Sequence, residues 1–347
     1  NVSINNCAFC FVFEVLAGET LRQYGGSRKL PRTGPSRVKN LVHILVVQDI
    51  KILNIAIFAG CSAPMDAQLP MKNDPHFSSQ IDQPQFEKKD GPLVMVDGGH
   101  NNFFVMTSLI KPLLDLLAND GYRIEISRNK ITDSTLARAD IFLIITAMSS
   151  PYTDAASSFS GAYSREELSS LQQWVVNGGS LIAFSEHFPF DVAVSDLLES
   201  FDIKTSIGVT IDYDFSAGDV GHIIFENERL ADTHPTIAGK RPVKKLKSYG
   251  GSSLRGDSYS NLLKLSAHAF NVSREWMGVE GGPIGSGDSQ GLAGAYGKGR
   301  VVALGDSNGF VAMVVEGDNP HNTAGMNDPK YDWRNFVLNT FDWLSGA

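Results

Sequence analysis

The chain has 347 residues, 42% hydrophobic and 20% charged, a globular mix that excludes a disordered chain, a collagen-like fibre and a coiled coil. Lys plus Arg number 30 against 38 for Asp plus Glu, a net charge of −8. A nucleic-acid binder needs a basic footprint, so nucleic acid is excluded as a partner.

Residues 1–36 show no hydrophobic period. From Arg37 a basic start (Arg37, Lys39) leads into an apolar stretch interrupted by Gln48, Asp49 and Lys51, which ends Ile57-Phe58-Ala59-Gly60-Cys61. Small residues just before a Cys resemble the lipobox of bacterial lipoproteins, in which a signal peptide is removed and the Cys is lipidated. The plainer reading is a buried strand followed by an incidental Cys. The apolar run 52–60 is too short to span a bilayer. The expectation is therefore an upstream and signal-peptide-like segment over 1–60 and a polar tether over 61–91, with Pro64, Pro70, Pro75 and Pro84. Cys61 is then the membrane attachment of a periplasmic or surface lipoprotein of the bacterial envelope. Cys7 and Cys10 form a C-x-x-C without a second pair or a neighbouring His, which argues against zinc. From Pro92 onward there is no Cys, hence no thiol nucleophile and no disulfide.

In the globular part, Leu93 to Asp97 reads as a buried strand, and Gly98-Gly99-His100-Asn101-Asn102 as its turn. Apolar residues at helical spacing predict a helix over 103–119, stopped by Asp120-Gly121. Tyr122 to Ser127 alternates as a strand, and Ile141 to Thr146 is a β-rich run typical of a central parallel strand. Ser164-Arg-Glu-Glu167 is a capping box opening a helix that ends at Gly178-Gly179. Ser180 to Phe184 is the next strand, Ser185 to Asp191 its turn, and 192–201 a helix. Residues 205–295 read as an irregular β-rich insertion with short strands at 222–225 and 262–265. Arg300 to Leu304 is a strand, Gly305 to Asn308 its turn, and Trp333 to Leu344 a closing helix. No repeat period appears. This alternation predicts an α/β domain over 92–347 with a doubly wound, mostly parallel sheet of flavodoxin-like or amidotransferase-like type. Such sheets bind ligands outside the carboxyl ends of their strands.

Five stretches carry a resemblance: GGHNNF at 98–103, ARADIFLIITA at 137–147, SREELSSLQQWVVNGGSLIAFSEHFPF at 164–190, GKGRVVALGDSNGF at 297–310 and GMNDPKYDWRNFVLNTFDWLSG at 325–346. Together they resemble the class I glutamine-amidotransferase-like fold, in its branch of exported bacterial proteins near the ThuA-like and gliding-motility-type domains. The resemblance implies the fold over roughly 92–347. Class I amidotransferases carry a Cys in the turn where this chain has Ser185-Glu186-His187. The thiolate activity is therefore not carried over.

The strand-end turns, expected to meet at one crevice because their parallel strands are expected to be adjacent, supply the candidate chemistry. His100, Ser185, Glu186, His187 and Asp306 are the candidate catalytic residues. Asn101, Asn102, Ser149, Asp191, Ser307 and Asn308 are the candidate substrate contacts, and Ser150 lies beside Ser149. In one arrangement Ser185 is the nucleophile, His100 or His187 the base, and Glu186 or Asp191 orients it, although Gly-x-Ser-x-Gly is absent. In another, Gly305-Asp306-Ser307 with Asp318 and His321 resembles the SGNH/GDSL motifs. Those lie at opposite ends of their domain, whereas here they are close together. No cofactor is called for. His100, His187, Glu186 and Asp306 offer N and O ligands a divalent ion would accept, but at no fixed ligand spacing. Gly281 to Gly287 lacks the ending and context of a phosphate loop. Asp212, Asp214 and Asp219 read as an acidic surface loop that could hold calcium, and Trp276 as a core residue or a sugar-stacking face.

Two functions follow as expectations. One is an exported hydrolase acting on an ester or a carbohydrate-derived substrate. The other is a non-catalytic module that binds a carbohydrate or a partner in the same crevice. A Ser hydroxyl, a His nitrogen and a carboxylate within hydrogen-bond reach in one pocket would favour the enzyme. Histidine side chains that point apart into packed core would favour binding or a structural role.

Overall fold

The computed structural model describes residues 71–151, 160–187, 189–218, 221–272, 288–315 and 323–347. The readings on Cys7, Cys10, Cys61, Asp219, Trp276, the glycine-rich stretch 281–287, Asp318 and His321 lie outside these residues.

A seven-stranded sheet is built from β1 (Leu93–Asp97), β2 (Arg123–Ser127), β3 (Ile141–Ile144), β4 (Ser180–Phe184), β5 (Ser260–Asn261), β6 (Gly291–Tyr296) and β7 (Gly299–Leu304). The spatial order is β5-β6-β7-β4-β3-β1-β2. Strands β7, β4, β3, β1 and β2 are parallel, whereas at one edge β6 pairs antiparallel with β7 and β5 antiparallel with β6. Every residue of β1, β3 and β4 is buried, as continuous apolar strands covered on both faces must be.

Alternating side chains enter two cores. Val94, Val96, Ile182, Phe184, Val302 and Leu304 join Leu113 and Leu116 of helix α1 (Lys111–Asn119) and Phe336 and Phe341 of the closing helix. Met95, Phe142, Leu181, Ala183 and Val301 join Leu171 and Val175 of α2 (Arg165–Val176) and Leu197 and Leu198 of α3 (Phe190–Glu199). The closing helix, α4, spans Trp333–Ser345. Burying each such Leu or Phe side chain contributes about 1.5–3 kcal/mol, so the sheet is the fixed frame on which the turns sit.

Four expectations are corrected. The helix predicted over 103–119 is broken: a short turn at Phe103–Met106 precedes α1, and Ser108 between them takes φ 61°. Part of the stretch read as an insertion belongs to the sheet, because β6 pairs with β7 along its length and β5 pairs with β6. Residues 262–265 form no strand; Leu263 bridges to Leu230 and Lys264 to Ser289. Finally, β1 and β4 are not neighbours, since β3 lies between them.

The rest of the 204–272 stretch is pinned by Arg229. Its guanidinium donates to Asp212 (3.0 Å), to the Lys264 carbonyl (2.9 and 2.8 Å) and to the Ile224 carbonyl (2.8 Å). It lies 3.7 Å over the Phe215 ring and 4.9 Å from that of Phe225. Asp212 also accepts from Ser266, while Asp214 pairs with His268 at 2.7 Å. Both carboxylates are therefore engaged by protein groups. No helix among the described residues is long and apolar enough to cross a membrane.

Candidate functional site

Three turns at the carboxyl ends of parallel strands carry a non-glycine residue in the left-handed region: Asn101 after β1 (φ 49°), Thr146 after β3 (φ 50°) and Glu186 after β4 (φ 56°). For a β-branched Thr and a Glu this is strained backbone, of the kind that persists where neighbouring structure over-determines it. Thr146 has a visible compensation. Its carbonyl accepts from Phe103 N (2.9 Å) and its hydroxyl from Phe104 N (3.0 Å), capping the short turn after β1.

At the end of β1, His100 is held on both sides. Its Nδ1 lies 3.0 and 2.9 Å from the two oxygens of Asp97, and its Nε2 lies 3.0 Å from Glu167 Oε1. Tyr163 donates its hydroxyl to Asp97 (2.8 Å), and its ring centre is 4.3 Å from that of His100. All four side chains are buried. Gly99 makes the turn fit, because a Cβ there would stand 2.5 Å from the Asn129 carbonyl oxygen. Glu167 has a second task. Its Oε2 accepts from Ser164 N (3.0 Å) while Ser164 Oγ accepts from Glu167 N (3.3 Å), the reciprocal cap of α2. Its Oε1 also accepts from Ile131 N at 2.9 Å.

An ionised carboxylate only accepts, so both ring nitrogens of His100 are placed to donate. Burial works against a charged ring, but the hydrogen bond and charge of Asp97, followed by those of Glu167, outweigh it and raise the His100 pKa above the ordinary value. No ring nitrogen is left to take a proton from a nucleophile.

At the ends of β4 and β7 a second cluster forms. Glu186 Oε1 accepts from Ser307 N (2.9 Å), Ser307 Oγ (2.6 Å) and Asn308 Nδ2 (3.0 Å). Glu186 Oε2 accepts from His187 N (3.1 Å) and lies 3.7 Å from His187 Nε2. Asp306 accepts from Asn308 N (2.8 Å), Asn308 Nδ2 (2.9 Å) and Tyr249 N. Burial, followed by the charge of Glu186, pushes the Asp306 carboxyl upward. Asp191 accepts from Val192 N and Gly208 N, both at 2.7 Å, yet burial pushes it up to about 7.

The remaining sequence-predicted residues divide into buried and partly open. Ser185 is fully buried, its hydroxyl 2.5 Å from Ser252 Oγ and 3.4 Å from the Leu304 carbonyl. Neither partner is a histidine, which corrects the expected Ser185 and histidine pairing. Asn102 donates to the Ile145 carbonyl (3.0 Å), and its Oδ1 is buried without a partner among the described residues. Asn101 donates to the Met148 carbonyl at 3.3 Å and keeps partial exposure, as does Ser149. The His187 side chain is 18% exposed and packs 5.8 Å from the Phe190 ring.

The expected convergence of His100, Glu186, His187 and Asp306 is thus resolved into two groups. His100 belongs with Asp97 and Glu167; Glu186, His187 and Asp306 belong with Ser307 and Asn308. With β3 between β1 and β4, their turns are separated by two strand spacings, about 9–10 Å. Among the described residues no group of three or more His, Cys, Asp or Glu side chains is placed to hold a metal ion. The sequence reading missed Asp97, Tyr163 and Glu167 as site residues. The sequence signal for Asp97 is a lone acid ending an apolar strand, and that for Glu167 is its place in the capping box.

No family model matches the chain, and no curated protein matches it. Solved structures do. The N-terminal domain of mmIFT52 is similar at 14% identity with a TM-score of 0.51, covering 73% of this chain and 97% of that one. The likeness is one of fold. Two ThuA-like proteins are also similar. The one from Bacteroides uniformis has 12% identity and a TM-score of 0.41, covering 78% of this chain and 95% of that one. The one from Parabacteroides merdae has 12% identity and a TM-score of 0.42, covering 74% and 90%.

Proposed function

We propose that this domain is a non-catalytic binding module. It holds a carbohydrate or a glycan-bearing partner over the turns that follow β1, β3 and β4. The observation that carries the reading is the commitment of its would-be catalytic groups: the Ser185 hydroxyl to Ser252, and both His100 nitrogens to carboxylates. A nucleophile needs a base within reach that still has a free lone pair. Asn101, Ser149 and His187 are the polar contacts for the ligand, while Asn102 and Asp191 hold the turns. Binding of the whole chain to a glycan panel tests it. His187→Ala should abolish that binding with Tm unchanged. Retention of full affinity in the variant, or no binding by the wild type, contradicts the reading.

A second reading, an exported hydrolase, draws on Asp191, whose carboxyl burial pushes up to about 7. We further infer a doubly wound domain with an irregular β-rich insertion, delivered to the bacterial envelope by lipidation of Cys61. The two cores on opposite sides of the sheet support the winding. Residues 71–91, read from the sequence as part of a tether, belong to the domain instead, since Met71–Asn73 pairs with Met313–Val315 and Phe77, Ile81 and Phe86 pack against the core. Truncation just before Met71 should therefore leave a cooperatively folding product, and a non-cooperative one would count against it. Radiolabelled palmitate should enter the wild type and not Cys61→Ser, and equal labelling would rule out the lipid attachment.

A further inference from the structure

Four donors from two neighbouring strand ends converge on the Glu186 carboxylate: the backbone N–H of His187 (3.1 Å), the backbone N–H (2.9 Å) and hydroxyl (2.6 Å) of Ser307, and the side-chain amide of Asn308 (3.0 Å). These donors are neutral, come from turns fixed by the fully buried ends of β4 and β7, and enclose a group that is 1% exposed. Such an array of preorganised N–H and O–H groups is what binds an oxyanion. Here the anion is the protein's own side chain.

Two features make that occupant displaceable. Glu186 reaches the seat from strained backbone, φ 56°, a conformation that persists only where the surrounding structure over-determines it. Its neighbour Asp306 is also buried, and Asn308 Nδ2 is shared between them, 3.0 Å from Glu186 Oε1 and 2.9 Å from Asp306 Oδ1. Two buried carboxyl groups around one amide repel whenever both are ionised. The seat therefore suits a carboxylate better than the backbone carrying it does.

We propose that these four donors form a carboxylate-binding cradle that Glu186 plugs, and that the carboxylate of a ligand takes the same seat when Glu186 leaves it. This deepens the binding reading by naming one chemical group of the ligand, but the cradle is measured without any glycan. Glu186→Gly removes the plug and relieves the strained φ together. In the whole chain, acetate should then raise the Tm of this variant by about 3–5 °C per tenfold increase above its Kd, relative to chloride at equal ionic strength. The wild type should not respond over that range, because its own carboxylate competes intramolecularly. Glu186→Gln, which still fills the seat, should not respond either.

Should Glu186→Gly not fold in chloride, refolding it in acetate reads the same quantity. Recovery of folded protein only in acetate supports the cradle, and equal failure in both salts overturns it. An acetate response no larger in Glu186→Gly than in the wild type or in Glu186→Gln also overturns it. If glycan binding fails while acetate binds Glu186→Gly, the binding-module reading falls and the cradle stands.

Discussion

His100→Ala is expected to lower the stability of the domain by about 3–5 kcal/mol, the range for removing one partner of a buried ion pair, and Tm by roughly 10 °C. The ring neutralises two buried carboxylates at once, Asp97 at 2.9 Å and Glu167 at 3.0 Å. Without it, Asp97 keeps only Tyr163 and the backbone N–H of Gly99, while Glu167 keeps Ser164 and Ile131. Neither set carries positive charge. The pH dependence has a definite sign. Because the folded pKa of His100 is raised above 6.5, its stabilisation is fully present below the unfolded value and is lost as pH rises through the folded one. The gap between wild type and His100→Ala should therefore be widest just below the unfolded histidine value of 6.5, where the carboxylates are still ionised, and narrow at alkaline pH. Urea unfolding across that range checks both points. A gap that is absent, or that widens as pH rises above 6.5, means the imidazolium is not what holds this turn.

Arg229→Ala should cost a similar amount, about 3–5 kcal/mol, and Arg229→Lys should recover little of it. The guanidinium reaches one carboxylate and two backbone carbonyls while lying against Phe215 and Phe225. An ammonium supplies the charge but neither the planar fork nor the flat face. Removing Arg229 leaves Asp212, which is 1% exposed, with only its Ser266 donors. Equilibrium unfolding of both variants measures the effect. A Lys variant as stable as wild type would show that charge alone, not the fork, organises residues 204–272.

Local signals in the sequence translated well. β1 and β4 occupy 93–97 and 180–184 as expected, because strands buried on both faces read as unbroken apolar runs. The Ser164 cap is present because its chemistry spans three residues. What was not legible depends on distance along the chain. His100 meets Glu167 across 67 residues, and no local pattern links the two. Strand β6, GLAGAY, has two glycines and two alanines and no β-branched residue, so propensity argues against a strand there. The small residues are required by packing: a Cβ on Gly294 would stand 2.9 Å from the Tyr259 ring. The order of the parallel strands was equally hidden. With β3 between β1 and β4, the four histidine and carboxylate residues expected in one crevice fall into two groups.

Those two groups, together with Ser185, carry the central claim, that the Ser185 hydroxyl and both ring nitrogens of His100 are committed to other protein groups. The most direct test is hydrolysis of p-nitrophenyl esters and glycosides by the wild type, Ser185→Ala and His187→Ala, with and without chelator. The prediction is that no turnover above background appears in the wild type, and that Ser185→Ala folds and binds as the wild type does. Turnover in the wild type that Ser185→Ala or His187→Ala abolishes would contradict the claim and restore the hydrolase reading.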